Sequence, residues 1–146
     1  MLSSSCKYGI RAVTYIASKQ KKGEKIGIKQ ISEDLKLPTP FLAKILQLLA
    51  KQKILSSLKG PNGGFSLLKD PRDISIMDII ITIDGNDLFE NCLLHNSTCK
   101  CVDESKLACP LHKNYAAIRM NIIKLFKTNN IYGLVKSMNK SGDIAI

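Results

Sequence analysis

Residues 28–68 read IKQISEDLKLPTPFLAKILQLLAKQKILSSLKGPNGGFSLL, and the way apolar positions recur along them decides the fold. Ile28, Ile31 and Leu35 fall on one side of a short helix, which Lys36-Leu37-Pro38 ends. Thr39-Pro40 opens the next helix, with Thr39 as N-cap and Pro40 at the first helical position, where its missing N–H is no loss. In that helix, about residues 40–52, Phe41, Leu42, Ile45, Leu48 and Leu49 are expected to point inward. Pro40, Ala43, Lys44, Gln47 and Lys51 recur at helical spacing as one polar stripe. Two helices joined by a short turn, the second exposing small and hydrogen-bonding side chains, make a helix-turn-helix. Small residues let the helix N-terminus approach base edges, while Gln and Lys supply donors for purines and charge for phosphates. Thr39 and Lys29 complete the candidate DNA-contacting set on these two helices.

Two strand-like runs follow, Ile54-Leu55-Ser56-Ser57-Leu58 and Gly64-Phe65-Ser66-Leu67-Leu68. Lys59-Gly60-Pro61-Asn62-Gly63 joins them, with Asn-Gly at the tip of a hairpin. Such a hairpin can be purely structural, but directly after a recognition helix it reads as a wing. Lys59 at its base is placed to enter a minor groove, and Gly60, Asn62 and Gly63 let the backbone lie close to phosphates.

Upstream, residues 4–20 form a first helix, with Ile10, Val13, Ile16 and Ala17 at helical spacing and a serine run as N-cap. Downstream, Asp70-Pro71-Arg72-Asp73 is a turn, and Ile76 to Ile83 is a fourth helix capped by Ser75 and closed by Asp84-Gly85-Asn86. Leu111, Tyr115, Ile118, Ile122, Leu125 and Phe126 trace an apolar stripe along a long helix, and a short helix follows over about residues 131–138. The long helix is more apolar than a lone surface helix needs, so it is expected to pair with its copy in a homodimer. A two-fold dimer also suits a pseudo-palindromic promoter in double-stranded DNA. The expected fold is mainly α with a small β-hairpin wing: a winged helix-turn-helix domain over 1–84, a cysteine-rich loop over 85–110, and a dimerisation helix with a C-terminal helix over 111–146.

Charge supports the assignment. Residues 1–69 carry 13 Lys and Arg against 3 Asp and Glu, whereas residues 70–146 carry 9 of each, so the whole net charge of +10 lies in the head. A polyanion is the natural partner of such a surface. No apolar run approaches the length of a membrane span and no signal peptide opens the chain, so a cytoplasmic protein without a membrane partner is expected. No P-loop, nucleophilic-serine motif or Rossmann glycine fingerprint is present, and an enzyme is not expected.

Four of the five cysteines, Cys92, Cys99, Cys101 and Cys109, crowd into eighteen residues, and His112 follows in Cys109-Pro110-Leu111-His112. Thiolates at that density with one imidazole are a soft-metal or iron–sulfur donor set. Structural zinc prefers tight Cys-x2-Cys pairs, and this segment has none, which favours an iron–sulfur cluster over zinc. A thiol switch on the same cysteines remains open. His95 reads as a solvated loop residue.

The string Cys6-Lys7-Tyr8-Gly9-Ile10-Arg11-Ala12-Val13 resembles the opening of the Rrf2 family of bacterial transcription regulators. Gly60-Pro61-Asn62-Gly63-Gly64-Phe65 is similar to that family's glycine-rich wing, and the segment ending at His112 is similar to its iron–sulfur loop. The resemblance spans essentially the whole chain. It implies a homodimeric winged-helix repressor or activator in which three cysteines and a further ligand hold a [2Fe-2S] or [4Fe-4S] cluster. By position Cys92 resembles the first ligand, Cys109 the third, and His112 the histidine that completes a [2Fe-2S] site. Cys101 is favoured as the second, with Cys99 as its alternative. Three positions depart from the family. Lys7 occupies the place of an acidic fourth ligand in some relatives, although neighbouring Cys6 has ligand chemistry. Ala43 replaces an acid in the recognition helix, and Lys59 replaces the usual wing arginine.

Overall fold

The computed structural model describes residues 2–21, 24–94 and 111–141. Helix α1 (Ser4–Lys19) begins where the Ser3 hydroxyl accepts the Cys6 amide at 3.0 Å. It buries Cys6, Ala12, Val13, Thr14, Tyr15 and Ile16, and most of the other elements pack around it. Gly9 sits where α1 passes closest to α4 (Ile76–Asp84): a Cβ there would stand 2.3 Å from the Ile83 side chain.

Helix α2 (Ile28–Leu35) ends at Lys36, whose left-handed backbone (φ 53°) turns the chain toward α3 (Thr39–Lys51). This is the predicted helix-turn-helix, with two corrections. Thr39 is not the cap but the first helical residue, and Pro38 holds the cap position without a side-chain bond. The Thr39 hydroxyl is instead engaged with the Ser32 hydroxyl at 2.7 Å, inside the turn. Phe41 and Leu48 are not core residues but 38% and 37% exposed, while Leu46 is fully buried. The apolar arc of α3 is wider than the neighbours that cover it. Packing centres on Leu42, Ile45, Leu46 and Leu49, and the arc's edge is left in water.

Strands β1 (Leu55–Leu58) and β2 (Gly64–Leu67) pair antiparallel, with Leu55 opposite Leu67 and Leu58 opposite Gly64. Ile26 extends the hairpin, exchanging two backbone bonds of 2.9 Å with Phe65. Lys25 crosses to the Ser56 and Ser66 hydroxyls at 3.1 and 3.3 Å.

A 3₁₀ turn (Pro71–Asp73) leads to α4, which starts in a reciprocal Ser75–Asp78 capping box and ends at Gly85. Helix α5 (Asp87–Glu90) lies in the segment expected to be irregular. Its four residues are too few for a visible period, and it buries Phe89. Helix α6 (His112–Thr128) packs on α4, and α7 (Ile131–Ser141) returns to α1. At that return Ile76 N–H donates to Asn129 O and Ile131 N–H to Ile74 O, both at 3.0 Å, and Ile131 is completely buried. The last helix is therefore part of the core of the head.

Ile131→Ala leaves a cavity beside Ile74 and α1, so unfolding by denaturant should show a loss of about 2–5 kcal/mol. A loss below about 1 kcal/mol would place α7 outside the core.

Candidate DNA-binding face and cysteine site

The helix-turn-helix is braced from behind. Ser32 Oγ donates to Leu37 O at 2.5 Å, and the Arg11 guanidinium donates to Leu35 O at 3.1 Å, tying α1 to the end of α2. Tyr15 donates to the Asp34 carboxylate. Burial, then that carboxylate, push the Tyr15 phenol up to about 12, so it stays a donor at any physiological pH. One of the three acids in the basic half is thereby held by a buried partner from α1.

With α3 held in this way, Pro40, Lys44, Gln47 and Lys51 are exposed and Thr39 and Ala43 are half-buried. Lys29 is exposed on α2, and Lys59, Gly60 and Asn62 are exposed on the hairpin. None of these lysines is in an ion pair among the described residues, which leaves their charge for an external anion. Gly63 is half-buried and has a structural reason to be glycine, since a Cβ there would lie 2.2 Å from Leu58 O. Tyr8 on α1 meets the edge of the exposed Phe41 ring, centroids 5.8 Å apart, which props the start of α3.

The cysteine site is reached from both ends. Cys92 lies two residues after α5 and His112 is the first residue of α6, and both are half-buried. Cys99, Cys101, Cys109 and His95 lie outside the described residues. Among the described residues no three His, Cys, Asp or Glu side chains converge, as expected when the middle of the donor set falls outside them.

Cys6 lies inside the protein, at 0% exposure. It packs with Ile80 and Phe89, and burial, then the Asp84 carboxylate, push its thiol up to about 12. Protonated and enclosed, it packs here as a core residue. Phe89 is the link between regions: it touches this cluster and meets Phe126 of α6 edge-on at 6.3 Å, three residues before Cys92. Arg119 of α6 donates to Asn91 O at 2.6 Å, with its guanidinium 4.7 Å from the Tyr115 ring. Sequence alone offered only the Tyr115–Arg119 spacing of one helical turn as a sign of this arrangement.

On α6, Ile122, Ile123 and Phe126 pack inward. Leu111, Ile118 and Leu125 recur every seventh residue at 43%, 54% and 55% exposure. No described helix is long and apolar enough to cross a membrane.

The Rrf2 profile, described as an iron-dependent transcriptional regulator, matches residues 2–137. An HTH-type transcriptional regulator of Aquifex aeolicus is 33% identical over 140 residues, covering 96% of this chain and 94% of its own. The solved structure of IscR from T. potens superposes with a TM-score of 0.75 at 20% identity, over 100% of this chain and 93% of that one. CymR of B. subtilis, the global cysteine regulator, gives 0.74 at 20% identity over 94% and 97%. At that identity the two structures share the fold. These relatives are regulators, not enzymes.

The two kinds of exposed residue should separate in a binding assay. Lys59→Ala should weaken binding alike on every DNA sequence and lower the salt slope by about one. Gln47→Ala should cost about 1–3 kcal/mol on the preferred operator and less on others. Fluorescence anisotropy across a salt series checks both, and wild-type behaviour of the two variants would remove this face from the DNA interface.

Proposed function

The chain belongs to the Rrf2 family of transcriptional regulators, and from that membership we propose a dimeric DNA-binding regulator whose grip on DNA responds to an iron–sulfur cluster held between Cys92 and His112. The observation that carries this is the position of Phe89. It is buried against α1, α4 and α6 at once, and the chain runs from it into Cys92 within three residues. Whatever fixes Cys92 also constrains a side chain wedged between the long helix and the DNA-binding head.

The donor chemistry fits an iron–sulfur centre: thiolates and one imidazole, and an iron-dependent family description. Cys92, Cys101, Cys109 and His112 would hold it, Cys99 standing as the alternative to Cys101, and [2Fe-2S] is the form that a histidine ligand suits best. When bound, the cluster supplies one-electron chemistry and dependence on iron supply. The chain's own part is to tie Cys92 to α5 and His112 to α6. Ordering of the intervening segment then bears on the spacing of two recognition helices.

The dimer follows from α6. Ile118 and Leu125, one heptad apart on α6, and Leu111 at its N-cap are exposed in the single chain, an apolar line that a two-fold partner helix would cover. With lysine-bearing α2, α3 and wing on each copy, such a dimer addresses two half-sites of a pseudo-palindromic promoter in the cytoplasm. The fold likeness to CymR, which is solved also in an oxidized form, favours, as second reading, a thiol switch on the same cysteines; zinc is the remaining alternative.

Protein purified without oxygen should be red-brown, with iron and sulfide in equal amounts, and both should be lost in Cys92→Ala and Cys109→Ala. Colourless protein that stays colourless after reconstitution with iron and sulfide would overturn the cluster, and zinc content would then separate the two alternatives.

A further inference from the structure

We propose that Arg119 is the positioning residue of the cysteine site, fixing the peptide plane that carries Cys92. The carbonyl of Asn91 and the amide nitrogen of Cys92 belong to one peptide unit, which is planar and rigid. Arg119 donates to that carbonyl at 2.6 Å from α6, across 28 residues of sequence. A guanidinium donor makes a shorter and stronger bond than a neutral one. The guanidinium is itself held, because its carbon lies 4.7 Å from the centre of the Tyr115 ring one turn earlier on the same helix. Tyr115 lies three residues after His112, so the two described ends of the donor set are referred to one rigid stretch of helix.

The Nε of Arg119 points to the same purpose. It is buried and has no acceptor among the described residues. A buried unsatisfied donor is costly, and Arg11 Nε, on the side chain that braces α2, is in the same state, so this atom adds to the Asn91 bond and does not by itself mark a site. On the reading that Cys92 is a ligand, this Nε is the nearby group with a free donor for sulfur, and hydrogen bonds to sulfur are among the means by which a protein adjusts an iron–sulfur centre. The assignment rests on the proposal that Cys92 is a ligand; the anchoring of its peptide can be tested without any metal.

Two measurements separate the proposals. In iron-free protein, Arg119→Met should shift the NMR resonances of the Asn91 carbonyl carbon and the Cys92 amide, while Arg119→Lys, which keeps a charged donor, should restore them in part. In reconstituted protein, Arg119→Met should release iron to a chelator in air about tenfold faster, the order expected for losing a charge-assisted hydrogen bond, with Arg119→Lys in between and the thermal midpoint within a few degrees of wild type. Unchanged Cys92 and Asn91 resonances in Arg119→Met would overturn the anchoring, whatever the iron does. Shifted resonances with unchanged iron release would overturn the role at the site. If the methionine variant does not fold, Tyr115→Leu removes the ring under the guanidinium and should shift the same resonances; no shift there would overturn the proposal. Failure of the unsubstituted protein to take up iron would defeat the cluster reading, with the resonances still deciding the anchoring.

Discussion

Ala12, Val13, Thr14 and Ile16 of α1 are completely withdrawn from water, and the other elements of the head are arranged by the need to cover them. A helix buried on most sides cannot be satisfied by the helix-turn-helix alone. The hairpin closes one side, α4 approaches over Gly9, and α7 comes back from the far end of the chain to place Ile131 in the same core. Because α1 is the common support, its two ends acquire different duties. Tyr8, Arg11 and Tyr15 hold α2 and α3 in their relative positions, and Cys6 near the N-terminus packs against Phe89.

The same support would connect the proposed cysteine site to the proposed DNA-binding face some distance away in sequence. Phe89 belongs neither to the head nor to the long helix but is packed by both. Its neighbours Cys6 and Ile80 are fully buried, so it has little room to move without disturbing α1 and α4. Arg119 provides a second connection, from the long helix to the peptide of Cys92. Electrostatics divides the labour further: the lysines of α2, α3 and the hairpin are exposed and form no ion pair among the described residues, while acids such as Asp34 and Asp84 are engaged with α1 and its N-cap.

Much of this was legible in the residues. The spacing of Ile28, Ile31 and Leu35 and the Ser75 cap each express a local rule, and the helices and the hairpin are present. The wing, however, turns on Pro61-Asn62, with Gly63 N–H donating to Gly60 O, and not on the expected Asn62-Gly63. The departures arise where tertiary contacts outweigh local ones. Thr39 has the chemistry of a cap, yet Ser32 draws its hydroxyl into the turn. Phe41 and Leu48 continue an apolar pattern, yet the described neighbours leave them 38% and 37% exposed. Helix α5 is too short to show a period, and nothing local announces that Ile131 belongs to the core of the head or that Arg119 finds Asn91. The inner cysteines of the site lie outside the described residues, so the choice between Cys99 and Cys101 rests on the sequence.

The central claim is that the state of the Cys92–His112 segment changes DNA binding through packed contacts with the head. The most direct test is the affinity of iron-loaded and iron-free protein for a fragment of its own promoter, measured without oxygen at one salt concentration. The account predicts a difference of about fivefold or more, in either direction, the size of a coupling between two sites. Equal affinities, with iron and sulfide present in the loaded form, would contradict it.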